Sequence, residues 1–179
     1  MEYIISLYYK LIGVLFLLLS KVKTSINGYK SPKPFSNDDV DRCIDYDISV
    51  VDNWLLHLGN YTNKKKYILD KNILELCPGS DLGTGCYLLF NGAKKYNSFD
   101  KNNLVDYVPN SFYQNLYKYL DNNIQDGCLE KVEGFINFQD DSLVNHIVDN
   151  QFNLLSSFDD NSIDIVFSQA AFEHFEYFE

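Results

Sequence analysis

The chain has 179 residues, 46% of them hydrophobic and 22% charged, which is enough apolar material to bury one globular core. Its net charge is −10 and its only basic run is Lys64-Lys65-Lys66, so the basic stripe of a nucleic-acid binder is missing and a small-molecule partner is expected instead. Cys43, Cys77, Cys86 and Cys128 form no C-x-x-C pair and have no histidine at zinc spacing, which reads as reduced thiols in a cytoplasmic protein without a metal site.

Residues 3–19 are mostly apolar, and Leu11 to Leu19 is nearly unbroken, with Lys10 interrupting the stretch. A spanning helix needs about 20 apolar residues, so this one is short. It also lacks the basic start and small-residue cleavage site of a secretory signal. Three readings stay open: a helix packed on the domain or a partner, a helix in peripheral contact with a membrane, and a cleaved signal. Lys21 and Lys23 follow the run, so an anchor would leave the rest of the chain cytoplasmic. Gly28, Pro32 and Pro34 mark residues 24–35 as a linker. The chain therefore divides into a helix and linker over 1–35 and a domain over 36–179.

Ser36 with Asp39 has the form of a capping box for a short helix. Ile48, Val51, Leu55 and Leu58 recur at helical spacing, with Asp45 or Asp47 as a cap, Gly59 as a stop and Trp54 placed to pack on a sheet. Residues 72–77 read as a strand, followed by a glycine-rich turn, an apolar run at 86–90 and Gly92 as a helix stop. Residues 96–100 read as a second strand. Pro109 and Asn110 precede a helix with Phe112, Leu116 and Leu120 on one face. A weak strand is expected within 132–148, and a buried strand at 163–168. Strands alternating with helices predict an α/β domain with a parallel sheet.

The chemistry concentrates in Ile73-Leu-Glu-Leu-Cys-Pro-Gly-Ser-Asp-Leu-Gly-Thr-Gly85. Gly79, Gly83 and Gly85 remove Cβ atoms where a backbone can approach a ligand, a signal shared by many nucleotide-binding turns. Glu75 lies inside the apolar strand, where a carboxylate is costly unless a partner, such as a cationic ligand group, pairs with it. Asp100 ends the second strand about 20 residues beyond the glycines, where dinucleotide folds hold ribose hydroxyls. Ser162-Ile-Asp-Ile-Val-Phe-Ser-Gln-Ala-Ala-Phe-Glu-His174 is a strand that ends in polar groups.

The run ELCPGSDLGTG resembles the first motif of class I S-adenosylmethionine-dependent methyltransferases, and SIDIVFSQAAFEHF resembles their fourth-strand motif, particularly in the group acting on small molecules. The resemblance covers roughly residues 70–179. It implies a Rossmann-like sheet with flanking helices, S-adenosyl-L-methionine as cofactor and a small-molecule methyl acceptor, such as a sugar or a lipid-linked one. It implies that Cys77, Pro78, Gly79, Gly83 and Gly85 line the methionine end of the cofactor, with Glu75 near its amino group. Asp100 would take the ribose and Asp149 would face the adenine. Ser168, Gln169 and His174 would lie near the methyl-transfer face, His174 serving as a general base or shaping the loop. Glu173 is expected on the loop or cofactor side, and His57 and His146 at the surface or in packing.

Two departures from the family pattern follow. Cys77 stands where the family has glycine, and cysteine disfavours a left-handed backbone. The family sheet is seven-stranded, whereas four strands can be traced here. A partial domain is thus expected, with an unpaired fourth-strand edge open to self-association. Two other functions compete. One is a catalytically silent pseudo-methyltransferase. The other is a dinucleotide-binding oxidoreductase, disfavoured because the glycines are not spaced G-x-G-x-x-G and Glu75 would repel a diphosphate.

Overall fold

Successive side chains of a strand point to opposite faces, and the apolar segments of this chain use both. Asn72–Leu76, Lys95–Asp100, Val144–Val148 and Ile165–Ser168 form strands β1 to β4. In the computed structural model, which describes residues 2–27, 40–64, 66–124, 126–136 and 142–169, all pairings are parallel and the order is β3-β2-β1-β4. Ile73 and Tyr96 are buried on one face, where Val144, Ile165 and Phe167 join them. Leu74, Leu76 and Phe99 are buried on the other, under Phe152, Leu154, Phe158 and Ile163 of the segment joining β3 to β4.

Five helices are described: α1 (Glu2–Asn27), α2 (Val40–Thr62), α3 (Gly83–Phe90), α4 (Asn110–Asn123) and α5 (Leu129–Ile136). The chain divides into two compact units, residues 1–33 and 34–179. In the first, α1 exposes most of its described apolar side chains. Among the described residues no helix is long and apolar enough to cross a membrane. In the second unit, α2, α3, α4 and α5 supply one continuous core with the sheet, including the fully buried Val51, Leu88, Phe112, Leu116, Leu120 and Val132. Trp54 of α2 stacks on Phe167 of β4, ring centroids 4.6 Å apart and planes 4° from parallel, so α2 packs on the sheet as its sequence predicts.

Several boundaries differ from the sequence reading. Ser36 and Asp39 lie outside the described residues. α2 runs unbroken through Asp45, Asp47 and Gly59, so neither aspartate caps it and the glycine does not end it. The helix ends instead before Asn63, which takes a left-handed φ of 55° that asparagine accommodates well. Gly92 does follow the end of α3, at φ 99°. α5 was not legible as a helix, and β4 is less buried than its composition suggests, with Val166 50% exposed.

Candidate functional site

Because every strand is parallel, their carboxyl ends share one edge of the sheet. The strand order reverses between β1 and β4, which places the turn after β1 at the reversal. The ends are tied together there. Cys77 N donates to Phe99 O at 2.8 Å, Asp149 N to Asp100 O at 2.9 Å, and Ser168 Oγ to Leu76 O at 3.3 Å. Glu75, Cys77, Pro78, Gly79, Asp100, Asp149, Ser168 and Gln169 thus fall at or beside one edge, as their sequence positions predict. His174 and Glu173 lie outside the described residues.

The turn itself is bent by two left-handed residues, Cys77 at φ 56° and Gly79 at φ 92°. A Cβ added at Gly79 would meet nothing within 4 Å, so this glycine serves backbone geometry and leaves open space beside the chain. Cys77 holds the same region of conformational space with a side chain, at a cost of about 1–2 kcal/mol. Burial pushes its thiol up to about 11, with the charges of Asp100 and Glu75 adding to the effect, so it is no activated nucleophile.

Gly83 and Gly85 act differently from the sequence expectation. Both lie in α3 rather than in the turn. A Cβ at Gly83 would strike the carboxylate of Asp47, and one at Gly85 would strike the ring of Tyr96, in each case at less than 2.5 Å from the nearest atom. Their lack of a side chain allows close packing inside the domain, and the surfaces they face are protein.

Glu75 is 1% exposed. Its Oε2 accepts hydrogen bonds from Thr84 Oγ1 at 2.5 Å and Tyr96 OH at 2.6 Å. Burial raises its pKa from 4.5 to about 7, against the opposing pull of those two hydroxyls. The partner that a strand carboxylate requires is therefore supplied from within, by α3 and β2. Thr84 and Tyr96 were not singled out by sequence reasoning. Their signal is weak: a threonine between two glycines, and a tyrosine opening a strand.

A second acid pair sits at the start of α3. Asp81 Oδ1 accepts from Gly83 N at 3.0 Å and so begins the helix. Asp47 reaches the same place from α2 and is 5% exposed. Burial, then the charge of Asp81, raises Asp47 well above the usual carboxylate range, and burial raises Asp81 as well. The charge of Asp81, added to burial, favours the neutral form of Asp47. Asp47 Oδ2 has no hydrogen-bond partner among the described residues.

Asp100 is 7% exposed, and its Oδ1 accepts from Asn102 N at 3.1 Å. Asp149 accepts from Gln151 N and Asn153 N, each at 2.9 Å, through its two oxygens. These bonds hold its pKa below the ordinary value, so its observed role is to cap the turn after β3. Gln169 is exposed. His146, half-buried on β3, pairs with Ser98 of β2 (Oγ to Nδ1, 2.7 Å), and burial lowers its pKa. Its contact is thus a packing one. A separate concavity between α2 and α4, bordered by Asp41, Ile44, Asn115, Lys118 and Tyr119, involves none of the strand-end residues.

Among the described residues no cluster of three histidine, cysteine or acidic side chains could hold a metal ion. Comparison of the chain with protein-family models, curated proteins and solved structures gave no match.

Proposed function

We propose that residues 36–179 form a Rossmann-like, S-adenosyl-L-methionine-binding unit of the methyltransferase type, acting on a small-molecule acceptor. The observation that carries this reading is the strand order. β3-β2-β1-β4 corresponds to the first four positions of the 3-2-1-4-5-6 order of doubly wound folds, whose ligands bind outside the carboxyl ends of the strands where the order reverses. The turn of the ELCPGSDLGTG motif lies at that point, with open space over Gly79.

The residues suit a cationic cofactor. Asp81 and Asp100 place carboxyl groups beside the turn, and their negative charge when ionised favours a sulfonium and an ammonium while opposing a diphosphate. This weighs against the oxidoreductase alternative. In the proposed complex Gly79 lets the backbone approach the methionine end, Asp100 accepts from ribose hydroxyls, and Ser168 and Gln169 border the acceptor side. Glu75, its Oε2 already taken by Thr84 and Tyr96, would add to the attraction for the cationic cofactor only when ionised. Asp149 would meet adenine only by accepting beyond its two turn bonds. The bound cofactor would supply an electrophilic methyl group. The chain's share is orientation and exclusion of water, with His174 proposed as a base or loop-shaping residue.

The left-handed Cys77 favours a second reading, a silent relative that has lost the glycine of the family motif. Calorimetric titration of the full chain with S-adenosylhomocysteine, beside Asp100→Ala and with NAD as a counter-ligand, tests both. Micromolar binding lost in the variant supports the cofactor reading, and turnover with candidate acceptors then separates enzyme from silent binder. A folded chain that ignores S-adenosylhomocysteine, or prefers NAD, sinks it.

A further inference from the structure

Helix α1 spans 26 residues, and its described side chains are distributed unevenly around its axis. At about 100° per residue, Lys10 and Lys21 fall within about 20° of each other, and Ser6 and Gly13 within about 60° of Lys10. These four mark a narrow polar stripe, interrupted only by Leu17 among the described side chains. Val14, Leu18, Leu15, Leu19, Phe16 and Tyr9 step around the remaining arc of about 220°, and each is more than half exposed.

That arc is too wide for a protein partner of ordinary kind. A helix packed on a core or in a groove hides a stripe of roughly 100°, and a coiled-coil seam is narrower still. A second copy of α1 would leave half of the arc in water. A lipid phase covers all of it while leaving the lysine stripe at the headgroups, where lysines extend their charge to water. Charge points the same way. Residues 1–35 hold five lysines and one glutamate, whereas residues 36–179 hold ten basic and twenty-four acidic side chains. The positive charge excess is thus confined to the segment carrying the apolar helix, which suits an anionic surface. The uninterrupted stretch Leu11–Leu19 is about 13 Å long at 1.5 Å per residue, well short of the roughly 30 Å of a bilayer core.

We propose that α1 lies in the plane of a lipid bilayer surface, with Leu15 and Leu19 near the centre of its buried arc and Lys10 and Lys21 among the headgroups. This proposal is independent of the methyltransferase reading. The test is flotation of the full chain with phosphatidylcholine vesicles, with and without phosphatidylserine. Expected is co-flotation with both, strengthened several-fold by phosphatidylserine at low salt. Leu15→Glu with Leu19→Glu should abolish it while circular dichroism of the chain stays unchanged. Lys10→Gln with Lys21→Gln should remove only the salt-sensitive increment, and an N-terminal tag should remain open to added protease. A chain that stays in the aqueous fraction, whether monomeric or self-associated, overturns the proposal. So does a tag protected inside the vesicles, which would mean a spanning helix.

Discussion

Glu75 is the residue whose physics is most exposed to test. Burial favours its neutral form in the folded chain, with a pKa near 7 against 4.5 when unfolded. A raised carboxyl stabilises the fold fully below the unfolded value, and that stability drains away as pH rises through the folded one. The account expects Glu75→Gln, which keeps an acceptor for Thr84 and Tyr96, to gain on wild type by about 3 kcal/mol between about pH 4 and pH 8. Urea unfolding across that range measures it, and a gap that does not widen with pH contradicts the burial argument. Cys77 offers a second check. Its left-handed φ costs about 1–2 kcal/mol, and glycine gives back about 0.5–1 kcal/mol through its looser unfolded state. Cys77→Gly should therefore raise stability by roughly 0.5–1 kcal/mol, seen as a higher urea midpoint at unchanged slope. A lower midpoint would mean that the thiol packs better than its backbone suggests.

At the scale of elements, the contact between α3 and β2 depends on Gly85. A Cβ there would meet the Tyr96 ring, whose hydroxyl also serves Glu75. Gly85→Ala is expected to destabilise by about 1–3 kcal/mol through overpacking, despite alanine's better helix propensity. A variant as stable as wild type in thermal unfolding would show that Tyr96 can move freely. The same contact explains what the sequence could and could not disclose. The strand positions, Gly92 as a stop and the face of Phe112, Leu116 and Leu120 were legible because period and punctuation are local properties. The packing roles of Gly83 and Gly85 were not, because they depend on Asp47 and Tyr96 arriving from other elements. Asp47 was misread as a cap for a related reason: it lies inside α2 and faces Gly83 and Asp81 of another part of the chain, which only the tertiary structure discloses. α5 escaped notice because its eight residues include Gly134, which weakens any helical signal.

For the whole molecule, an order of β3-β2-β1-β4 with every strand parallel gathers the acidic turn, Asp100 and the β4 end at one edge. That convergence was anticipated from strand-end residues alone, because a parallel sheet sends all its carboxyl ends one way. Which of those residues remain free to meet a ligand was not legible, since Thr84, Tyr96 and the turn after Asp149 compete for the same oxygens. The central claim is that this edge is the cofactor site. Amide chemical-shift mapping of the full chain on adding S-adenosylhomocysteine tests it most directly. The account predicts changes concentrated in the turn after β1 around Gly79, at Asp100 and its successors, and at Ser168 and Gln169. Changes centred instead on the concavity between α2 and α4, or none in a folded chain, would contradict it.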